Sequence, residues 1–199
     1  MEPAVVSALL APPRAPSLVV RPADVGGRVA WDLLVRDGAL RVLDGDAAVP
    51  VHAPVTPETR AAALRPRVPA RTVVTGPSAA WVHCGGPPPD RLVLAHRTGT
   101  HRPEVWTFAT VWSGPGLVSD SVRLAGVRVT TPERTAVEVA LRLPPARSLR
   151  LVLDLQSAGA DLAAASRALE RRTRAPGRPQ AREVLAAARD RVASVGAKP

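Results

Sequence analysis

Four histidines and one cysteine are the side chains in this sequence best suited to holding a metal or pairing as nucleophile and base. His83 and Cys84 are sequence neighbours and would project in different directions from a helix, while His96 and His101 stand five apart across a glycine-containing turn. Neither spacing matches Cys-x-x-Cys or His-x-x-x-His, so no zinc site is expected, and no other cofactor. Ser78 lies close enough to His83 for a nucleophile–base pair to be considered, yet it stands where a helix begins and reads as that helix's cap. The chain has no Gly-x-Ser-x-Gly elbow. Gly76 and Gly85-Gly86 lack the Lys-Ser/Thr of a phosphate loop. Asp154, Asp161 and Glu170 are spread over two helices and read as solvated faces. These residues do not add up to an enzyme. Stacking on tryptophan is the remaining chemistry. Trp31 and Trp81 have apolar neighbours at helical spacing and read as core; Trp106 and Trp112 share one face of a strand, either core or a partner surface.

The elements that would carry these residues alternate quickly. Residues 4–11 predict a short helix ended by Pro12 and Pro13, and residues 21–25 one helical turn with Pro22 at its first position. After Gly26-Gly27, residues 28–36 form a helix with Val29, Trp31, Leu33 and Leu34 on or near one face, ended by Gly38. Residues 39–43 and 47–51 are extended runs joined by Asp44-Gly45-Asp46, a hairpin signal. That order is the order of a winged helix-turn-helix. Thr56-Pro-Glu and Thr131-Pro-Glu are two copies of a helix start, for helices reaching about Leu64 and Leu143. Between them lie a short strand or turn at 72–75, a helix from Gly76 to about His83, and strands at 91–96, 105–112, 117–122 and 127–130, the last two joined by Leu124-Ala-Gly126. Three helices follow, near 145–158, 161–173 and 178–194. The fold class is therefore α+β: a winged-helix domain over residues 1–53, a small mixed α/β domain over 54–143, and a C-terminal helical segment over 144–199 packed on it.

At 199 residues the chain has room for one domain or two small ones, and 46% apolar residues exclude wholesale disorder. One cysteine excludes an internal disulfide framework. The apolar stretch 4–11 is too short to span a membrane, and Glu2 without an early basic residue argues against a signal peptide, so a soluble cytoplasmic protein is expected. The net charge of +10 points to nucleic acid, but 26 of the 27 basic residues are arginine, as in a GC-rich genome. Its distribution is uneven. Residues 1–56 are net −1, residues 57–143 net +5 and residues 144–199 net +6.

Several segments together resemble a known family. Leu34-Val-Arg-Asp-Gly-Ala-Leu-Arg-Val-Leu-Asp-Gly-Asp46, Thr56-Pro-Glu-Thr-Arg60, Ser78-Ala-Ala-Trp-Val-His83 with Gly85-Gly-Pro-Pro-Pro89, and Gly126-Val-Arg-Val-Thr-Thr-Pro-Glu-Arg-Thr-Ala136 are similar to the AbiEi-like antitoxins of type IV toxin–antitoxin systems, in their actinobacterial form. The resemblance covers about residues 20–190. It implies an N-terminal winged helix on operator DNA, a second domain linked to antitoxicity, and a nucleotidyltransferase-like toxin as counterpart, antagonised without stable binding. Some longer relatives add a nuclease-like domain where this sequence stops, so no nuclease chemistry is expected. The residues carrying the family signature are Ser78, Trp81, His83, Thr131, Pro132, Arg134 and Thr135. They bring no established chemistry; Thr131 to Arg134 needs no more than a helix start, or else Arg134 and His83 line a shared polar pocket.

The resemblance makes residues 28–36 the recognition helix and 40–51 the wing, with double-stranded DNA of the protein's own promoter as partner. Phosphate contact needs arginine on that face. The helix offers Arg28 and Arg36, opposed by Asp32 and Asp37, and the wing Arg41, with Asp44 and Asp46 at its tip. Further candidates are Arg65, Arg67 and Arg71, and the cluster Arg171, Arg172 and Arg174, alongside Arg167; the cluster also reads as a solvated helix end. The alternative is a protein-interaction module that kept the scaffold and lost the DNA surface.

Overall fold

A computed structural model describes residues 18–99, 108–173 and 175–196 of the chain. The expected helix at 4–11, His101, Trp106 and Arg174 lie outside these residues. The architecture is mixed α/β with two sheets. A 3-10 turn at Pro22–Val25 leads through Gly26-Gly27 into α1 (Arg28–Arg36), followed by the antiparallel hairpin β1 (Leu40–Asp44) and β2 (Ala47–Pro50). Val20 bridges Ala48 on the open side of β2. Next come α2 (Pro57–Leu64), a 3-10 turn at Arg65–Arg67, β3 (Val73–Val74), α3 (Gly76–Cys84), β4 (Leu92–Arg97), β5 (Ala109–Gly114), β6 (Ser121–Leu124) and β7 (Val127–Thr130). Four helices close the chain: α4 (Pro132–Arg142), α5 (Pro145–Ser157), α6 (Leu162–Glu170) and α7 (Arg178–Gly196). The second sheet has the order β5-β4-β3-β7-β6 and is mixed: β3 pairs β4 antiparallel and β7 parallel, β4 pairs β5 parallel, and β6 pairs β7 antiparallel.

The helix starts follow their sequence signals. Thr56 and Thr131 accept from the amides of Thr59 and Arg134; Asp161, expected on a solvated face, instead caps α6 through Ala163 and Ala164. Ser78 departs from its expected role. The N-cap of α3 is Thr75, and Ser78 sits inside the first turn, fully buried, where its Oγ accepts from the Val93 amide of β4 at 2.8 Å. Two strand expectations also shift. Residues 117–120 form a turn before β6, and β5 begins at Ala109 among the described residues. The penultimate helix stops at Glu170, not 173, where an Arg172 amide bond to Leu169 tightens the end.

Two cores meet at α3, whose residues from Gly76 to Val82 are all buried. Trp81 and Val82 pack with Ala61 and Leu64 of α2, with Val74, Leu94 and Val129 of the sheet, and with Ala47 and Val49 of the hairpin. Ala80 joins the helical core of Val137, Val152, Leu155, Leu169 and Leu185. A helix apolar all round is a buried helix, and α3 is the hinge pin between sheet and bundle. No helix among the described residues is long and apolar enough to cross a membrane.

The turn into α7 fixes how that helix lies on α4. Gly177 has φ +77°, and a Cβ there would stand 2.5 Å from the Leu141 carbonyl oxygen. Gly177→Ala combines a left-handed backbone with a clash against main chain, so a loss of about 2 kcal/mol is expected in urea unfolding. An unchanged midpoint would mean that the turn can be rebuilt.

Candidate functional site

The helix α1 buries a different face from the one its spacing suggested. Trp31 is buried against Leu40 and Ala48 with Val25, Leu34 and Val35 around it, whereas Val29 is 77% and Leu33 42% exposed. Val29 and Leu33, one turn apart, therefore lie on an outward stripe. The Arg28 guanidinium lies 4.9 Å from the Trp31 ring centroid.

The carboxylates that opposed a DNA surface are engaged within the molecule. Arg28 hydrogen-bonds Asp32 at 2.9 Å and reaches across to Asp46 of the hairpin turn at 2.7 Å. Asp44 is ion-paired with Arg67, which draws the 65–67 turn against the end of the hairpin. The pairing corrects the expected acidic wing tip, since both of its carboxylates carry an arginine partner. Arg36 is exposed with Asp37 at 3.9 Å, and Arg41 donates to the Ala53 carbonyl. Arg65 and Arg71 are exposed. Arg28 and Arg67 thus grip the hairpin turn from two sides.

The C-terminal arginines divide. Arg171 is exposed, but Arg172 is drawn inward to Glu138 at 3.0 Å and Asp120 at 3.9 Å, so it is not a phosphate-facing residue. It joins a polar cluster that sequence reading missed except for Arg134. Glu138, 3% exposed, receives Arg134 Nε at 2.8 Å, Arg142 Nε at 3.0 Å and Arg172 Nη1 at 3.0 Å. Arg134 also donates to Asp120 at 2.6 Å and to the Pro115 carbonyl. Burial works to raise the Glu138 carboxyl, but Arg134, Arg142 and Arg172 outweigh it and hold the group below the ordinary glutamate value.

The signature residues have traceable duties. Thr131 caps α4, and Thr135 shares a 2.7 Å hydroxyl contact with Thr130. Trp81 donates from Nε1 to the Gly86 carbonyl at 3.0 Å. His83 Nε2 lies 2.8 Å from the Thr130 carbonyl oxygen, so the two signature segments are joined by that bond. A carbonyl only accepts, so Nε2 carries the proton. Burial lowers the His83 pKa, and the neutral ring leaves Nδ1 as an acceptor. Arg134 and His83 do not share a pocket, since Arg134 is consumed by Asp120 and Glu138. Ser78 and His83 are likewise committed to separate partners. Burial pushes the Cys84 thiol up to about 11, so it stays protonated at neutral pH. Among the described residues no cluster of three or more His, Cys, Asp and Glu side chains is placed to hold a metal.

One cleft of about 800 Å³ opens beside α3. Its walls are the end of α3 with the Gly85–Pro89 loop, and one face of α5 running from Arg147 to Ala158. Gly85 and Gly86 both have left-handed φ, +82° and +81°, which turns the chain sharply out of α3 into the proline run. Arg60 of α2 fixes that turn from below, donating to the carbonyls of Val55, Val82 and His83. The sequence signal for this site was the regular spacing of Arg147, Arg150, Leu151 and Asp154 on one helix face, beside a rigid proline loop.

No family model matches the chain, and no curated protein matches it. Among solved structures it is similar to the RV2827C protein from Mycobacterium tuberculosis at 22% identity, over 92% of this chain and 79% of that one, with a TM-score of 0.35.

Proposed function

We propose that the chain is a DNA-binding regulator of the AbiEi-like antitoxin kind, which docks on double-stranded DNA of its own promoter through a winged-helix unit. In this reading α1 enters the major groove and the β1–β2 hairpin is the wing. The observation that carries it is the pairing of Asp44 with Arg67 and of Asp46 with Arg28. Those two pairs neutralise the wing carboxylates and bring one arginine from each of two elements to the hairpin turn. Val29 and Leu33 then offer apolar surface suited to thymine methyl groups, and Arg36, Arg41, Arg65 and Arg71 supply phosphate contacts. Exposed ion pairs such as Arg28–Asp32 are weak in water and exchange readily for phosphate. As an antitoxin, the protein would counter a nucleotidyltransferase-like toxin without binding it stably.

Fluorescence anisotropy against the upstream DNA at two salt concentrations tests this. Binding is expected to weaken with salt, and the slope of log affinity against log salt should fall by about one for each of Arg36, Arg65 and Arg71 changed to alanine. No affinity at low salt would sink the reading.

A second reading rests on the same exposed stripe. Val29 and Leu33 on α1, with Val42 of β1 at 43% exposure, are also what a protein-docking face would present. Val29→Asp with Leu33→Asp separates the two: loss of a co-purifying partner with DNA affinity retained favours the interaction module.

A further inference from the structure

We propose that the cleft between α5 and the Gly85–Pro89 loop binds a nucleoside monophosphate. The proposal stands apart from the DNA-binding reading, because the residues involved lie on different elements. It starts from four charged side chains lining one cleft: Arg147 and Arg150 of α5, Asp154 one turn further on, and Asp90 after the proline run. None of the four makes an ion pair or hydrogen bond among the described residues. Several carboxylates elsewhere in the molecule are paired. Asp32, Asp44, Asp46, Asp120, Glu138 and Glu170 each hold at least one arginine. Two unpartnered cations and two unpartnered anions facing the same opening leave their pairing to a ligand.

The arrangement restricts what that ligand is. Arg147 and Arg150 are three residues apart, neighbours on the helix surface, and so able to grip one phosphate together. Asp90 and Asp154, being ionised carboxylates, only accept hydrogen bonds, and suit ribose hydroxyls or the amino group of a base. They also repel a ligand that is anionic throughout, which disfavours free phosphate or an acidic peptide. Pro87 to Pro89 and Leu151 supply flat apolar surface for the base, and neutral His83 adds an acceptor at Nδ1. The volume, about 800 Å³, falls within the usual range of small-molecule sites.

Calorimetric titration of the full chain with the four common nucleoside monophosphates tests the assignment, with adenosine, inorganic phosphate and a glutamate-rich peptide as comparison ligands. Saturable binding of at least one monophosphate is expected, with the nucleoside and the phosphate each much weaker. Arg147→Ala with Arg150→Ala should reduce that affinity at least about ten-fold, since two charge-assisted bonds are lost. Both residues are exposed, so an unchanged thermal melt should show that the fold is kept. Asp154→Asn should weaken the nucleotide while inorganic phosphate binds no more weakly than before, since a repelling charge is removed. Absence of saturable binding by any monophosphate, binding unchanged in the double arginine variant, or tighter binding of the acidic peptide would each overturn the proposal.

Discussion

Glu138→Ala is expected to cost about 4 kcal/mol or more, a large share of the 5–15 kcal/mol that holds an ordinary domain together. The side chain is buried and receives three guanidinium groups, from Arg134, Arg142 and Arg172. With it gone, Asp120 is the one carboxylate left among the described residues for Arg134, at 2.6 Å, and Arg172, at 3.9 Å, and Arg142 keeps none. Arg134 is itself 4% exposed, so its charge has no route to water. The damage would spread, because Arg172 ties the segment after α6 to α4, and Arg142 reaches the Ser113 carbonyl and lies over the Trp112 ring. Glu138→Gln separates charge from shape. It keeps the acceptor oxygen and the volume but not the charge, so a cost near half that of alanine is expected, about 2 kcal/mol. The pH dependence has a definite sign. The carboxyl is held below its ordinary value in the folded chain, so its contribution is present above the unfolded value near 4.5 and is lost as pH falls through the lower folded value. Urea unfolding at neutral pH and at stepped acidic pH measures both effects, and Glu138→Gln should flatten the acid limb. A change under about 1 kcal/mol for alanine would mean that the arginines find water or other acceptors.

Local signals were read well and distant pairings were not. Thr56 and Thr131 lie immediately before their helices, and a cap is a matter of three consecutive residues, whereas Asp161 looked like a solvated face and is the cap of α6. The Asp44-Gly45 turn was legible for the same reason. Ser78 misled because the residue before a Gly-Pro start, Thr75, takes the cap position while the serine hydroxyl is used by a strand fifteen residues away. Val29 and Leu33 misled in the opposite sense. They are apolar and correctly spaced, but Trp31, Leu34 and Val35 already fill the small core beneath α1. Charge was the hardest feature to read. Counting Asp44 and Asp46 as free carboxylates made the front of the chain look hostile to DNA, whereas Arg67 and Arg28 answer them from 23 and 18 residues away. The pairs Arg134–Glu138 and Glu138–Arg142 follow helix spacing and could be read; Arg172, from a turn 34 residues later, could not. The cleft escaped because its walls are the end of α3 and the face of α5, brought together only by the helical core.

Arg60→Ala is the second large effect, and its cause differs from that of Glu138. Arg60 is 7% exposed, and among the described residues its hydrogen bonds all go to backbone carbonyls: Nε to Val82 at 2.8 Å, Nη1 to Val55 at 3.0 Å and Nη2 to His83 at 3.1 Å. Val82 and His83 lie in the last turn of α3, whose carbonyls have no further amide to accept from and where the helix dipole favours a cation. Removal of the side chain strands three acceptors at about 1 kcal/mol or more each and opens a void between α2 and α3, so a loss of about 4 kcal/mol is expected. Arg60→Lys retains the charge, but one ammonium cannot span three diverging carbonyls, and a cost near 2 kcal/mol follows. The lysine variant is the informative one, because it should remain folded with the end of α3 loosened. Hydrogen exchange is then expected to quicken at Gly85, whose amide closes α3 on the Trp81 carbonyl, while the amides of α4 and α5 keep their protection. Loosening there moves the Gly85–Pro89 wall, so nucleotide affinity at the cleft should fall even though Arg60 does not line it. Uniform loss of protection in the lysine variant would show Arg60 to be a support of the whole fold and not of this turn. An alanine variant within about 1 kcal/mol of the parent would show that water caps α3 as well as the guanidinium does.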